Sequence, residues 1–101
     1  MEQLSAEQFT AVPTLSAWEV RGHVAVCRFA TGDFATGVRL LEDVAQIADA
    51  LGHHPDVTIR FGSVEVATTT YETGGLTERD VALARAITEL ARRMGLTPRD
   101  T

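Results

Sequence analysis

The sequence predicts an α+β domain in the order α-β-β-α-β-β-α, an antiparallel sheet with helices covering one face. Two pairs of short runs rich in β-branched and aromatic residues carry the strands. Trp18–Arg21 pairs with "HVAVCRFA" across Gly22, and "DVTIRFG" pairs with "VEVATTTY" across Gly62-Ser63. Between and after these hairpins, apolar residues recur at steps of three and four, which is the helical period. Hairpins interleaved with helices leave one sheet face to be covered and the other to be solvated or used for assembly.

Each element has its own signal. Ser5 stands three residues before Gln8, the spacing of a capping box, and Pro13 closes the short helix it opens. His23 begins the second strand run, where it reads as an exposed strand residue. After Gly32-Asp33 the period changes, and Phe34, Val38, Leu41, Val44, Ile47 and Leu51 are expected to form the buried face of the longest helix. Asp33 is its N-cap and Gly52 its left-handed C-terminal cap, with Pro55 preventing continuation. In the fourth strand Val64, Val66, Thr68 and Thr70 share one face, and Glu65, Ala67, Thr69 and Tyr71 share the other. Thr77 and Asp80 form a second capping box, followed by the buried stripe Leu83, Ala84, Ile87, Leu90, Ala91 and Met94. The tail "LTPRDT" lacks a core-forming pattern and is expected to fray.

Composition narrows the function. At 101 residues the chain has the size of one domain, residues 1–101, with its core at about 15–94. No apolar stretch approaches the ~20 residues of a membrane helix, and no secretory layout opens the chain, so the expected address is cytoplasmic. The single cysteine, Cys27, agrees with a reducing compartment and reads as a buried small hydrophobe. A net charge of −5, with no lysine and scattered arginines, argues against a nucleic-acid partner, and Arg92-Arg93 reads as favourable charge at a helix end.

The chemistry-bearing candidates cluster around "LGHHPD". His53 and His54 are adjacent on a stiff connection, so their rings diverge, and a single metal could hardly take both. No spaced Cys, His or carboxylate set accompanies them, and no metal is expected. Imidazole titrates near neutrality, at ~6.5, so two of them beside Asp49 suit general acid/base work. Spacing alone favours a plainer reading, a polar C-cap interacting with the negative end of the helix dipole. Asp80 is likewise explained by capping unless the fold brings it to the histidines. The Thr68-Thr69-Thr70-Tyr71 run is an ordinary strand whose hydroxyls could hydrogen-bond a polar heterocycle. Phosphate loops, dinucleotide fingerprints and Ser-His-Asp arrangements are missing.

Taken together, "ADALGHHPDV" and "TTYETGGLTERDVALA", with Trp18 and Phe34 upstream, resemble the pterin-4a-carbinolamine dehydratase family over Leu15 to Met94. The resemblance implies a four-stranded antiparallel sheet with three helices on one face, assembled as a homodimer or homotetramer. It implies dehydration of a 4a-hydroxytetrahydropterin without metal or organic cofactor. On the matching positions it implies catalytic roles for His53, His54 and Asp80, and a pterin pocket lined by Asp49, Gly52, Thr69, Thr70 and Glu72. The family's third histidine falls on Tyr71, which takes its place among the catalytic candidates. A phenol with pKa ~10 donates a hydrogen bond or acts as an acid but is seldom a base at neutrality. Two alternatives to dehydratase activity follow from Tyr71. One is a binding or assembly factor, as for relatives that assist a transcription factor's dimerisation or Rubisco assembly. The other is recruitment to a different substrate in specialised metabolism.

Overall fold

The computed structural model describes residues 2–98. Its elements are α1 (Ala6–Thr10), β1 (Glu19–Arg21), β2 (Val24–Ala30), α2 (Phe34–Leu51), β3 (Asp56–Arg60), β4 (Ser63–Thr68) and α3 (Glu78–Arg93). The strands form one sheet in the order β1-β2-β4-β3, antiparallel throughout. The two hairpins thus lie side by side, joined where β2 meets β4 with Ala25 opposite Thr68 and Ala30 opposite Ser63.

Alternation selects the covered face. Ala25, Cys27 and Phe29 of β2 and Val64 and Val66 of β4 pack with Phe9 of α1, Leu40, Val44 and Ala48 of α2, and Leu83, Ala84, Ile87, Leu90 and Ala91 of α3. All three helices therefore share one side of the sheet, and each large apolar side chain removed from water there contributes about 1.5–3 kcal/mol. Trp18 closes the core beside β1. Its ring meets Phe9 and Phe29 edge-on, at centroid distances of 6.3 and 6.4 Å, and its indole N–H donates to Thr88 Oγ1 at 2.9 Å. Cys27 is buried here, and desolvation pushes its thiol up to about 12, which makes it an inert core residue.

Both capping boxes form. Ser5 Oγ accepts from Gln8 N at 3.0 Å while Gln8 Oε1 accepts from Ser5 N at 2.7 Å, and Thr77 and Asp80 make the equivalent exchange at α3. Asp33 Oδ1 accepts from Thr36 N at 2.8 Å, and Gly52 ends α2 at φ 65°, ψ 29°.

Three expectations are corrected. The face of α2 that meets the core is Gly37, Leu40, Val44 and Ala48, whereas Phe34, Val38 and Leu51 are exposed. The reason is close approach at Gly37, where a Cβ would stand 3.1 Å from Ile59 Cδ1 and 3.2 Å from Val64 Cγ2. Small residues let the helix sit down on the sheet along a line that a count of large apolar residues misses. The second correction concerns β4, which ends at Thr68. Thr70 pairs instead with Gly75, so Tyr71 belongs to a turn rather than to the strand's last position. Third, residues 96–98 are pinned rather than frayed. Leu96 N donates to Ala91 O at 2.8 Å, Ala30 N donates to Thr97 O at 2.9 Å, and Pro98 bridges to Phe29. The rest of that tail lies outside the described residues. No helix among the described residues is long and apolar enough to cross a membrane.

Candidate functional site

Four chain ends converge at one end of the molecule: the C-terminus of α2, the start of β3, the end of β4 and the N-terminus of α3. The left-handed turn at Gly52 lets the amide of His53 fold back onto Ala48 O at 3.2 Å. That turns the His53 ring inward, where it is buried, and leaves His54 outside.

Inside, His53 Nε2 lies 2.7 Å from Asp80 Oδ1. The same oxygen accepts from Thr68 Oγ1 at 2.6 Å, and Oδ2 accepts from Thr70 Oγ1 at 2.6 Å and from Thr77 N at 2.9 Å. Four donors thus satisfy one fully buried carboxylate, as burial of a charge demands. Burial raises the proton affinity of Asp80, but the donors Thr68, Thr70, His53 and Thr77 outweigh it and hold the group below the usual carboxylate value. An ionised carboxylate only accepts, so Nε2 of His53 carries the hydrogen and Nδ1 is the nitrogen left to exchange a proton. The hydroxyl directions follow as well. Thr70 gives its hydrogen to Asp80, so in the 2.9 Å contact between Thr70 and Thr77 the hydrogen comes from Thr77.

Outside, His54 Nε2 pairs with Asp49 Oδ1 at 2.8 Å, with both side chains exposed. The two histidines engage different carboxylates through the same ring atom and cannot offer Nε2 to a common ion.

The remaining expected residues divide by what they still have free. Thr69 Oγ1 donates to the carbonyl of His23 at 2.6 Å, and the Thr70 hydroxyl is engaged by Asp80, so neither hydroxyl is free to donate to a ligand. Tyr71 is 77% exposed on the turn that folds back to Gly75. Glu72 is exposed and is reached by Arg79, whose Nη1 is 3.5 Å from Glu72 Oε2. Arg79 Nη2 also donates to Gly52 O at 2.8 Å, tying the α2 terminus to the start of α3. The sequence reading missed Arg79, because an arginine in a first helical turn looks like solvated surface. A usable signal was its place beside Asp80, where a cation opposes the helix dipole and needs a partner.

Comparison with known proteins places the chain as a whole. The family model described as pterin 4 alpha carbinolamine dehydratase matches residues 2–90. The chain belongs to this family. A pterin-4-alpha-carbinolamine dehydratase homologue from Thermomicrobium roseum is 42% identical over 77 residues, covering 76% of this chain and 83% of the relative. Another, from Nocardia farcinica, is 41% identical over 92 residues, covering 90% and 97%. Among solved structures, the transcriptional coactivator/pterin dehydratase from Brucella melitensis superposes with a TM-score of 0.79 at 28% identity, over 89% of this chain and 99% of that one. A pterin dehydratase-like protein described as a RuBisCO assembly factor of the α-carboxysome shares the fold, with a TM-score of 0.60 at 21% identity over 73% and 86%.

Proposed function

We propose that the protein dehydrates a 4a-hydroxytetrahydropterin through the imidazoles of His53 and His54. In that reaction the C4a–O bond breaks, the hydroxyl departs as water after receiving a proton, and N5 loses its proton as the C4a=N5 double bond forms. One group must give a proton and another must take one, which a pair of imidazoles does near neutrality. The observation that carries this reading is the His53–Asp80 contact beside His54. One ring is locked with Nδ1 free, and its neighbour is tethered only by an exposed carboxylate. Asp80 is fully buried and acts as a positioning group. Asp49, Gly52 and Glu72, with the backbone of Thr69 and Thr70, line the pterin side, and Tyr71 supplies a phenol where the family resemblance implies a third imidazole.

Stopped-flow measurement of 4a-hydroxytetrahydropterin dehydration tests this. The protein accelerates the reaction, and His53→Ala and His54→Ala each lower the rate by about 10²–10⁴-fold. Absence of acceleration by the unaltered protein rejects the reading. Tyr71→His raises the rate if the phenol is a weak substitute.

A second reading is favoured by Tyr71 and by the exposed Phe34, Val38, Leu51 and Phe61. In it the protein is a binding or assembly factor, the role described for the RuBisCO assembly factor that shares its fold. Exposed side chains of this size also support homo-oligomers in either reading. Light scattering on purified protein separates monomer from dimer or tetramer. Inactivity of both the parent and Tyr71→His, with recovery of a defined protein partner, favours the second reading.

A further inference from the structure

The geometry points to Arg79 as a positioning residue that sets the catalytic pose of His53. The peptide plane joining Gly52 to His53 is gripped at both of its polar atoms. Its N–H donates to Ala48 O at 3.2 Å within α2, and its carbonyl accepts from Arg79 Nη2 at 2.8 Å. The ring of the same histidine is gripped by Asp80 at 2.7 Å. Arg79 and Asp80 are consecutive on α3, so their side chains leave the helix about 100° apart. They reach one histidine from two directions, one holding the main chain and the other the ring. A buried ring held only by its tip would still pivot about its backbone, and the second hold removes that freedom.

The electrostatic placement agrees. A guanidinium in the first turn of α3 is unfavourable toward that helix's own dipole, but it lies against the C-terminal, negative end of α2. Its other arm lies 3.5 Å from Glu72 on the loop after β4. Arg79 therefore joins the two segments proposed to line the pocket, Gly52–His54 and Thr69–Glu72, and does so with the fork geometry that lysine lacks. For its kinetic consequence this inference rests on the dehydratase reading; its structural content does not.

The test uses the full chain with Arg79→Ala and Arg79→Lys, and Arg60→Ala, at the exposed far end of β3, as a control for loss of a surface charge. The expected result is a fall in kcat of up to about 100-fold for Arg79→Ala, because small misplacements of a catalytic group carry such costs. KM and the thermal midpoint stay near the parent's values, Arg79→Lys recovers only part of the rate, and added guanidinium ion restores part of it. In parallel, nitrogen NMR of the imidazoles reads geometry without turnover. In Arg79→Ala the His53 ring signals broaden or move, while those of His54 stay.

Unchanged His53 signals together with an unchanged kcat overturn the proposal. So does a lost rate that guanidinium fails to restore in a protein with a lowered thermal midpoint, which would mark loss of fold instead. If the parent protein shows no dehydration at all, the functional reading falls, and the NMR arm alone decides for or against Arg79.

Discussion

Two neighbouring histidines make the same contact in different surroundings. His53 reaches Asp80 at 2.7 Å and His54 reaches Asp49 at 2.8 Å, yet the first pair is 8% and 0% exposed and the second 62% and 78%. The lengths are indistinguishable and the consequences are not. Around Asp80 every acceptor site is filled by a donor within the protein, so ring, tautomer and carboxylate form one rigid unit. Around Asp49, water competes for both partners and screens their attraction, so the pair confers little stability and leaves His54 able to turn. Distance alone does not rank an ion pair; burial and the remaining hydrogen bonds do.

Removing one carboxylate at a time breaks the comparison most directly. Asp80→Ala strands the Thr68 and Thr70 hydroxyls, the Thr77 amide and the His53 ring in the interior, and chemical denaturation should show a loss of about 3–5 kcal/mol. Acid titration gives a smaller effect at the same place. The Asp80 carboxyl is held below its usual value, ~3.9 in the unfolded chain. Its contribution to stability is therefore complete above that value and is lost as pH falls through the lower folded-state one. Asp80→Asn should lack that acid-side loss in pH-dependent unfolding, and an unchanged acid limb would mean that Asp80 is not the group responsible. Smallest of all, Asp49→Ala should shift the denaturation midpoint by no more than about 0.5 kcal/mol, within the usual range for exposed pairs. A loss comparable to that of Asp80→Ala would erase the distinction drawn here.

The same contrast explains what could be read from the residues alone. Strand alternation and helical period exposed the element order, because each depends only on neighbours in sequence. The caps at Ser5, Asp33, Gly52 and Thr77 were legible for the same reason, since a cap satisfies its own helix end. The face of α2 was misjudged because a glycine signals close approach only when the opposing Ile59 and Val64 are known.

Asp80 was legible as a cap but not as the partner of His53, since 27 residues separate them. A hint was present nevertheless. Thr68 ends β4 on its buried face, Thr70 just beyond the strand is buried too, and Asp80 falls on the buried stripe of α3 with Ala84 and Ile87. Polar residues on two buried faces must find one another or remain unsatisfied. The family resemblance named His53 and Asp80 among the site residues without pairing them, and the network around Asp80 supplies the contact. Arg79 stayed hidden because its main partner is a backbone carbonyl, which no residue type announces.

The pinned C-terminal segment bears on how the protein is handled. Strand β1 pairs with β2 only from Val24 to Val26, and beyond it the same edge of β2 is capped by Thr97 and Pro98. Those residues act as a lid on an edge that would otherwise present the free amide of Ala30 to any passing extended chain. A truncation after Gly95 would convert that edge into a sticky one, inviting association by strand addition that has nothing to do with the protein's own assembly. Fusions and affinity tags therefore belong at the N-terminus.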